Sequence, residues 1–233
     1  MLSLFDNIKT ISFDCYGTLI DWETGLLDFF RPLLKRHGVA LDDDALLELY
    51  AYVEQAGENG AFKNYKSVLR SSVHSIGKHL HCMFSEQEAD SLAQALGDWP
   101  PFPDTIASLK ALQSRYQLAI ISNTDDDLFA ATSRRLNISF EKIITAEQVR
   151  SYKPSENNFL RALESIGETP ASLLHVAQSR YHDIAPARAL GLKTVWVDRR
   201  YDKPGGGATA GSDAIPDLAV PSLKALARLM NVL

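Results

Sequence analysis

The chain lacks several features that mark particular classes of protein. Its 233 residues include only two cysteines, Cys15 and Cys82, which provide neither a disulfide framework nor the Cys-x-x-Cys spacing of a zinc site. No segment approaches the ~20 consecutive apolar residues of a membrane span. The 24 Lys and Arg residues are outnumbered by 29 Asp and Glu and form no basic stripe, which argues against nucleic acid as a partner.

Two further signals are missing. The segment MLSLFDNIK has no basic lead, extended apolar run or small-residue cleavage site, so we expect a cytoplasmic protein. Gly205 to Gly207 follow no strand and lack the Gly-Lys-Ser/Thr ending of a phosphate loop, which predicts a flexible surface loop. The composition is 45% hydrophobic, enough to fill a sizeable core.

The most informative stretch is KTISFDCYGTLIDW, residues 9–22. Thr10 to Phe13 are short, β-branched and apolar, as in a buried strand, and the pattern stops abruptly at Asp14. Gly17 and Thr18 follow in a predicted turn. A carboxylate at the carboxyl end of a strand in an open parallel sheet lies where such folds bind ligands. A strand-end aspartate is also a common turn former, and this alternative stays open at this point.

Two kinds of pattern follow this strand. Residues 23–99 contain four amphipathic helical segments, which suit a cap inserted after the first strand. From Pro100 onwards strands alternate with helices, which predicts an α/β fold: a Rossmann-like, doubly wound parallel sheet as the core with an inserted α-helical cap. We expect residues 1–16 and 100–233 to form the core and residues 17–99 to form the cap. The later strands are predicted at residues 117–122, 142–145, 173–177 and 194–197.

Polar residues at three later points could converge with Asp14. Ser122 and Asn123 end a predicted strand, where a hydroxyl and backbone N–H groups suit a carboxylate or phosphate, although both residue types are also natural helix caps. Lys153 stands directly before a proline and a helix, a place where a solvated lysine is the ordinary alternative. Asp183 follows the strand at residues 173–177.

These segments resemble, in order, the four motifs of the haloacid dehalogenase-like hydrolases. FDCYGTL resembles the first motif, which implies that Asp14 is the nucleophile. Ser122 matches the second motif, and Lys153 matches the third as the counter-ion of the nucleophile. Asp183, with Gln178 five positions before it, matches the fourth. The resemblance covers about residues 11–27 and 101–200, but only the topology of the cap.

Two departures distinguish this chain from the phosphatases of that superfamily. Gln178 replaces an acidic residue that helps to hold magnesium there, and Tyr16 replaces their aspartic general acid. Both favour the 2-haloacid dehalogenases, which use no metal or other cofactor. The resemblance then implies that Asp14 displaces halide from a short 2-haloacid to form an ester, and that water activated by Asp183 releases a 2-hydroxy acid. The expected substrate-binding residues are Tyr16, Thr18, Asn123, Gln178 and Ser179.

The group that holds the departing halide is the least defined. Dehalogenases of the best-known type use an arginine of the early cap, and residues 42–54 contain none. Arg70, Tyr65 and Trp22 are our candidates, although Arg70 lies on a helix whose polar face is ordinarily solvated. Two alternatives stay open: a magnesium-dependent phosphatase and a non-catalytic protein that binds small acids. The expected partner is a small anionic substrate, not a membrane, and a homodimer is left open.

Overall fold

A parallel sheet organises residues 3–203 and 207–233, which the computed structural model describes. Of the predicted surface loop at residues 205–207, only Gly207 falls within these ranges. The sheet has the spatial order β3-β2-β1-β4-β5-β6, and every neighbouring pair of strands is parallel. The strands are β1 (Thr10–Phe13), β2 (Gln117–Ser122), β3 (Lys142–Thr145), β4 (Leu173–Ala177), β5 (Lys193–Val197) and β6 (Leu218–Val220). The predicted α/β fold is confirmed; β6 was not predicted, because three residues are too few to reveal a period.

Four helices lie between β1 and β2 in the chain, and we call them the inserted helices. They are α1 (Trp22–Arg36), α2 (Asp43–Glu58), α3 (Tyr65–His79) and α4 (Glu86–Ala95). Each helix is capped by the residue before it, whose side-chain oxygen accepts a hydrogen bond from a backbone N–H of the first turn. The capping residues of α1 to α4 are, in order, Asp21, Asp42, Asn64 and Ser85. None of the helices in the described ranges is long and apolar enough to cross a membrane.

The remaining helices connect or flank the strands. They are α5 (Thr105–Gln113), α6 (Asp126–Leu136), α7 (Ala146–Val149), α8 (Glu156–Ile166), α9 (Ala185–Ala189) and α10 (Leu223–Leu229). Ile120 and Ile121 are neighbours on β2 that belong to different apolar clusters, because successive strand residues point to opposite faces. The cluster around Ile121 includes α8 and α9, and the other includes α5, α6 and α10, so both faces of the sheet are covered.

The inserted helices pack directly onto the sheet. Leu26, Tyr50 and Leu69 are fully buried and belong to the same apolar cluster as Phe13 of β1. Asp125 adds a polar connection: its buried carboxylate accepts the first N–H groups of α3, from Tyr65 at 2.7 Å and Lys66 at 3.0 Å. The division between core and cap at residues 16/17 and 99/100 stays a prediction.

Candidate active site

A small cavity of about 40 Å³ lies at the carboxyl edge of the sheet, beside the inserted helices. The segments that follow β1, β2 and β4 meet there, because the carboxyl ends of parallel strands share one edge. Of the predicted site residues, only Thr18 and Arg70 are not part of its lining. The lining consists of Asp14, Tyr16, Trp22, Glu54, Glu58, Tyr65, Ser122, Asn123, Lys153, Gln178, Ser179, His182, Asp183 and Thr209.

Lys153 joins two carboxylates at the floor of this cavity. Its Nζ donates to Asp14 Oδ1 at 2.9 Å and to Asp183 Oδ1 at 2.6 Å, and its third proton goes to the carbonyl oxygen of Ile121 at 2.9 Å. All three charged side chains are at least nine-tenths buried. Burial acts against the charged form of Lys153, but the two carboxylates outweigh it and raise the pKa of the ammonium.

The two carboxylates respond differently to the same cation. Burial raises the pKa of Asp14, and Lys153 offsets only part of that effect. Burial also acts to raise the pKa of Asp183, but Lys153 and a hydrogen bond from His175 together lower it below its usual value. Asp183 is therefore the more firmly ionised of the pair.

The backbone of Lys153 is held by Asn123. The side chain of Asn123 accepts from the Lys153 backbone N–H at 2.7 Å and donates to the Lys153 carbonyl oxygen at 3.0 Å. Both ends of this amide are thus engaged within the protein. Asn123 lines the cavity, as does Ser122, whose hydroxyl makes no hydrogen bond among the described residues.

Thr18 supports the nucleophile candidate from the other side. Its hydroxyl donates to Asp14 Oδ2 at 2.7 Å and accepts from the backbone N–H of Gln178 at 2.9 Å. The turn between them needs Gly17, which has a φ of +86°. A Cβ there would also lie 3.0 Å from Trp22 Nε1 and 3.3 Å from Gln178 Oε1, so glycine keeps this edge of the cavity open.

A second layer behind the cavity was not predicted. His175 Nε2 donates to Asp183 Oδ1 at 2.9 Å, and its Nδ1 lies 2.9 Å from Ser12 Oγ. Ser12 and His175 are in register on adjacent strands and are fully buried. The sequence signal was a polar residue in the interior of each of these two strands, and the pair orients Asp183.

Two glutamates of α2 were also missed. Glu54 Oε1 accepts from Tyr65 Oη at 2.8 Å, and Glu58 Oε1 accepts from Asn123 Nδ2 at 3.1 Å. Their spacing puts them on the helix face that carries Leu47 and Tyr50, which are buried. The sequence signal for a site here was that these two acidic residues continue an apolar stripe along the helix.

The cavity is lined by more acidic than basic side chains. Burial raises the pKa of Glu54 to about 7 and, with the nearby Glu54 charge, raises that of Glu58 well above its usual value. Burial also lowers the pKa of His182 to about 4, so this imidazole is neutral at pH 7. Lys153 is therefore the cation among the lining residues, and it faces four carboxyl groups.

The remaining predicted residues of the lining differ in whether their side chains make hydrogen bonds. Tyr16 Oη lies 2.9 Å from Thr132 Oγ1, which directs the phenol toward α6. Gln178 Oε1 accepts from Thr209 Oγ1 at 3.0 Å, and Ser179 Oγ accepts from the His182 backbone N–H at 2.9 Å. Trp22 Nε1 makes no hydrogen bond with any residue that the structure describes.

The structure does not bring Arg70 to the cavity. Its guanidinium is about half exposed on α3 and pairs with Glu86 and Asp90 of α4. An arginine on this face of α3 has acidic partners on the neighbouring helix, so it cannot contact an anion bound beside Asp14. Tyr65, by contrast, lines the cavity, and its hydroxyl is engaged by Glu54.

The donor set does not fit a divalent cation. The Lys153 ammonium fills the space between Asp14 Oδ1 and Asp183 Oδ1, and Gln178 contributes a neutral amide. Hard cations such as Mg²⁺ favour several negatively charged oxygens. Within residues 3–203 and 207–233, no group of three or more His, Cys, Asp or Glu side chains is arranged to hold a metal ion.

Several known proteins align with this chain over most of its length. The family model described as haloacid dehalogenase-like hydrolase matches residues 8–191. The (S)-2-haloacid dehalogenase of Pseudomonas sp. strain YL is 28% identical over 231 residues, covering 97% of this chain and 96% of that protein. Haloacetate dehalogenase H-2 of Moraxella sp. strain B is 25% identical over 231 residues, covering 97% and 99%. A solved structure of the L-2-haloacid dehalogenase of Xanthobacter autotrophicus, with chloropropionic acid covalently bound, has the same fold: the TM-score is 0.80 at 23% identity, over 96% of this chain and 98% of that one.

Proposed function

The chain belongs to the haloacid dehalogenase-like hydrolase family, and from this premise we propose that it cleaves the carbon–halogen bond of short 2-haloacids with Asp14 as the nucleophile. One observation carries the proposal. The Asp14 carboxylate faces the cavity at the carboxyl end of β1, and it is held by Lys153 at one oxygen and by Thr18 at the other. The names of the similar dehalogenases support the substrate class.

The first step is an in-line displacement at C2 of the haloacid. A bond forms between an Asp14 carboxylate oxygen and C2, while the carbon–halogen bond breaks and its electron pair leaves with the halide. Lys153 and Thr18 fix the orientation of the carboxylate, which favours a near-attack geometry. Chloride and bromide leave without a proton, so the reaction does not depend on an acid at the position of Tyr16.

The second step hydrolyses the aspartyl ester. Asp183 Oδ1 is bound to Lys153 and His175, whereas its Oδ2 has no hydrogen bond among the described residues and is the oxygen available to a water molecule. Asp183 takes a proton from this water as the oxygen attacks the ester carbonyl carbon. The bond between that carbon and the oxygen on C2 then breaks, this oxygen takes the proton back from Asp183 as the 2-hydroxy acid leaves, and the Asp14 carboxylate is regenerated with release of its acid proton. Because C2 is attacked only once, the 2-hydroxy acid has the inverted configuration.

Two neutral donors suit the halide. Trp22 Nε1 has no partner among the described residues, and neither has the amide nitrogen of Gln178, whose oxygen binds Thr209. Both side chains border the position that a Cβ of Gly17 would occupy. We assign the halide to this end of the cavity, in place of Arg70. The cytoplasmic location and the homodimer stay predictions.

The test is halide release from 2-fluoro-, 2-chloro- and 2-bromoacids in the presence of EDTA. We expect release by the unaltered protein and none by Asp14→Asn, with Asp6→Asn as the matched control because Asp6 is exposed. Absence of release across the panel would refute the proposal. Release that EDTA abolishes would refute the metal-free mechanism, and magnesium-dependent release of phosphate from a monoester would favour the phosphatase instead.

A further inference from the structure

Two acids of the cavity form no salt bridge with a lysine or arginine among the described residues. Asp14 and Asp183 share the Lys153 ammonium, whereas Glu54 and Glu58 have no such partner. Both glutamates are almost fully buried, and they lie one turn apart on the same face of α2. Buried carboxyl groups ordinarily pair with a cation. This wall of the cavity is therefore suited to a positive charge that a ligand brings.

Each glutamate uses only one of its oxygens within the protein. Glu54 Oε1 accepts from Tyr65 Oη at 2.8 Å, and Glu58 Oε1 accepts from Asn123 Nδ2 at 3.1 Å. The Oε2 atoms of both side chains have no hydrogen bond among the described residues. His182 Nε2 lies 3.7 Å from Glu58 Oε2, which is too far for a hydrogen bond. Two acceptor oxygens are thus available to a donor inside the cavity.

These oxygens lie close to the carboxylate that carries out the reaction. Asn123 connects the two places: its amide nitrogen donates both to Glu58 and to the carbonyl oxygen of Lys153, whose Nζ binds Asp14 at 2.9 Å. Glu54 is near as well, since burial raises its pKa and the charge of Asp14 adds to that effect. A molecule with its reacting carbon at Asp14 can therefore extend a second group to α2.

The wall suits an amine better than a metal ion. Within residues 3–203 and 207–233, no group of three or more His, Cys, Asp or Glu side chains is arranged to hold a metal. A primary ammonium has three N–H donors, enough to reach both Oε2 atoms. It also offsets negative charge, because a purely anionic substrate would enter a cavity with four carboxyl groups and one ammonium.

We propose that Glu54 and Glu58 bind the ammonium group of a zwitterionic substrate, so that the preferred substrates are short 2-haloacids with an amine on C3. This inference rests on the proposed dehalogenation and names its substrate class. It adds no chemical step: Asp14 displaces the halide from C2, water releases a 3-amino-2-hydroxy acid, and the ammonium group keeps its bonds. The cavity volume of about 40 Å³ favours a single methylene between C2 and the nitrogen.

A matched pair of substrates tests the proposal. 2-Chloro-3-aminopropanoate and 2-chlorobutanoate have the same number of non-hydrogen atoms and differ in an ammonium group against a methyl group. We expect kcat/KM for chloride release at pH 7 to be about 10–100-fold higher for the amino compound, the size expected for a charge-assisted hydrogen bond. Calorimetric binding of 3-aminopropanoate and butanoate makes the same comparison without turnover.

Substitutions assign the preference to the two acids. Glu54→Gln and Glu58→Gln keep the shape of the side chain and remove its charge, so each should lower the preference for the amino compound by about tenfold. The doubly substituted protein should have none. Glu48→Gln is the control and should keep the full preference, because Glu48 is exposed on the same helix. Urea unfolding of each variant establishes that the fold is retained.

The outcomes separate this inference from the proposed function. A kcat/KM for 2-chlorobutanoate equal to or above that for the amino compound would overturn the ammonium site alone, as would a preference that survives in the doubly substituted protein. A preference that falls with each substitution supports the site. Absence of chloride release from both compounds would overturn the dehalogenation. Calorimetry then decides the ammonium site: tighter binding of 3-aminopropanoate supports it, and equal binding of the two inert acids overturns it.

Discussion

Replacement of Glu54 by glutamine should change how the stability of this protein depends on pH. Burial raises the pKa of Glu54 from 4.5 to about 7, so between these values the folded chain retains a proton that the unfolded chain has lost. Stability therefore falls as pH rises through this window, because the unfolded state binds fewer protons. A difference of roughly 2.5 pKa units at 1.36 kcal/mol per unit corresponds to about 3 kcal/mol.

Glutamine removes this titration and keeps the contact. Its Oε1 can still accept from the Tyr65 hydroxyl, which now lies 2.8 Å from Glu54 Oε1. We expect Glu54→Gln to gain about 3 kcal/mol in free energy of unfolding relative to the unaltered protein when pH rises from 4.5 to 8. Loss of the Glu54 charge also lowers the pKa of Glu58, which changes the difference between the two proteins in the same direction.

The assay is urea unfolding of both proteins at half-unit intervals of pH, with Glu48→Gln as an exposed control on the same helix. The control should follow the unaltered protein. A difference between Glu54→Gln and the unaltered protein that stays constant within about 0.5 kcal/mol from pH 4.5 to 8 would show that Glu54 is not buried beside other acids as described.

Two further substitutions test the charge balance of the site and the packing of α1 on Trp99. Lys153→Met should lower the free energy of unfolding at pH 7 by about 3–5 kcal/mol and abolish turnover, because it leaves Asp14 and Asp183 buried without a cation. Lys63→Met is the exposed control, and a loss below about 1 kcal/mol for Lys153→Met in urea unfolding would contradict the expected charge balance. Gly25→Ala should lower the free energy of unfolding by about 1–3 kcal/mol, because the added methyl group would collide with the Trp99 ring. Gly211→Ala should have no effect, because a Cβ at Gly211 would have nothing within 4 Å, and equal thermal unfolding of the two variants would argue against the close packing of α1 on Trp99.

The strand ends were predictable because parallel topology decides where they meet. β1 to β4 were predicted at the bounds observed, and the polar residues that follow them had to share one edge of the sheet. Asp14, Ser122, Lys153 and Asp183 accordingly line one cavity. Their burial and mutual distances come from tertiary packing, which no spacing in the chain specifies.

The contacts of the inserted helices were harder to predict, because the sequence of a helix reveals its apolar stripe but not the neighbour that this stripe faces. The face of α2 that carries Leu47 and Tyr50 also carries Glu54 and Glu58, and only the packing of α2 against the sheet shows that this stripe ends at the cavity. Arg70 shows the opposite case: its acidic partners Glu86 and Asp90 lie on another helix, outside the reach of local sequence patterns.

The hydrogen bonds between Asp125 and α3 link the loop beside the cavity with the first turn of a helix. Asp125 belongs to the loop that follows Ser122 and contains Asn123, yet its carboxylate accepts hydrogen bonds from the first two N–H groups of α3. Any movement that separates α3 from this loop breaks both charge-assisted hydrogen bonds at once, each worth about 1.5–3 kcal/mol. Such a separation would leave the first turn of α3 with Asn64 as its cap, so the contact with Asp125 ties the position of α3 to the loop beside the cavity.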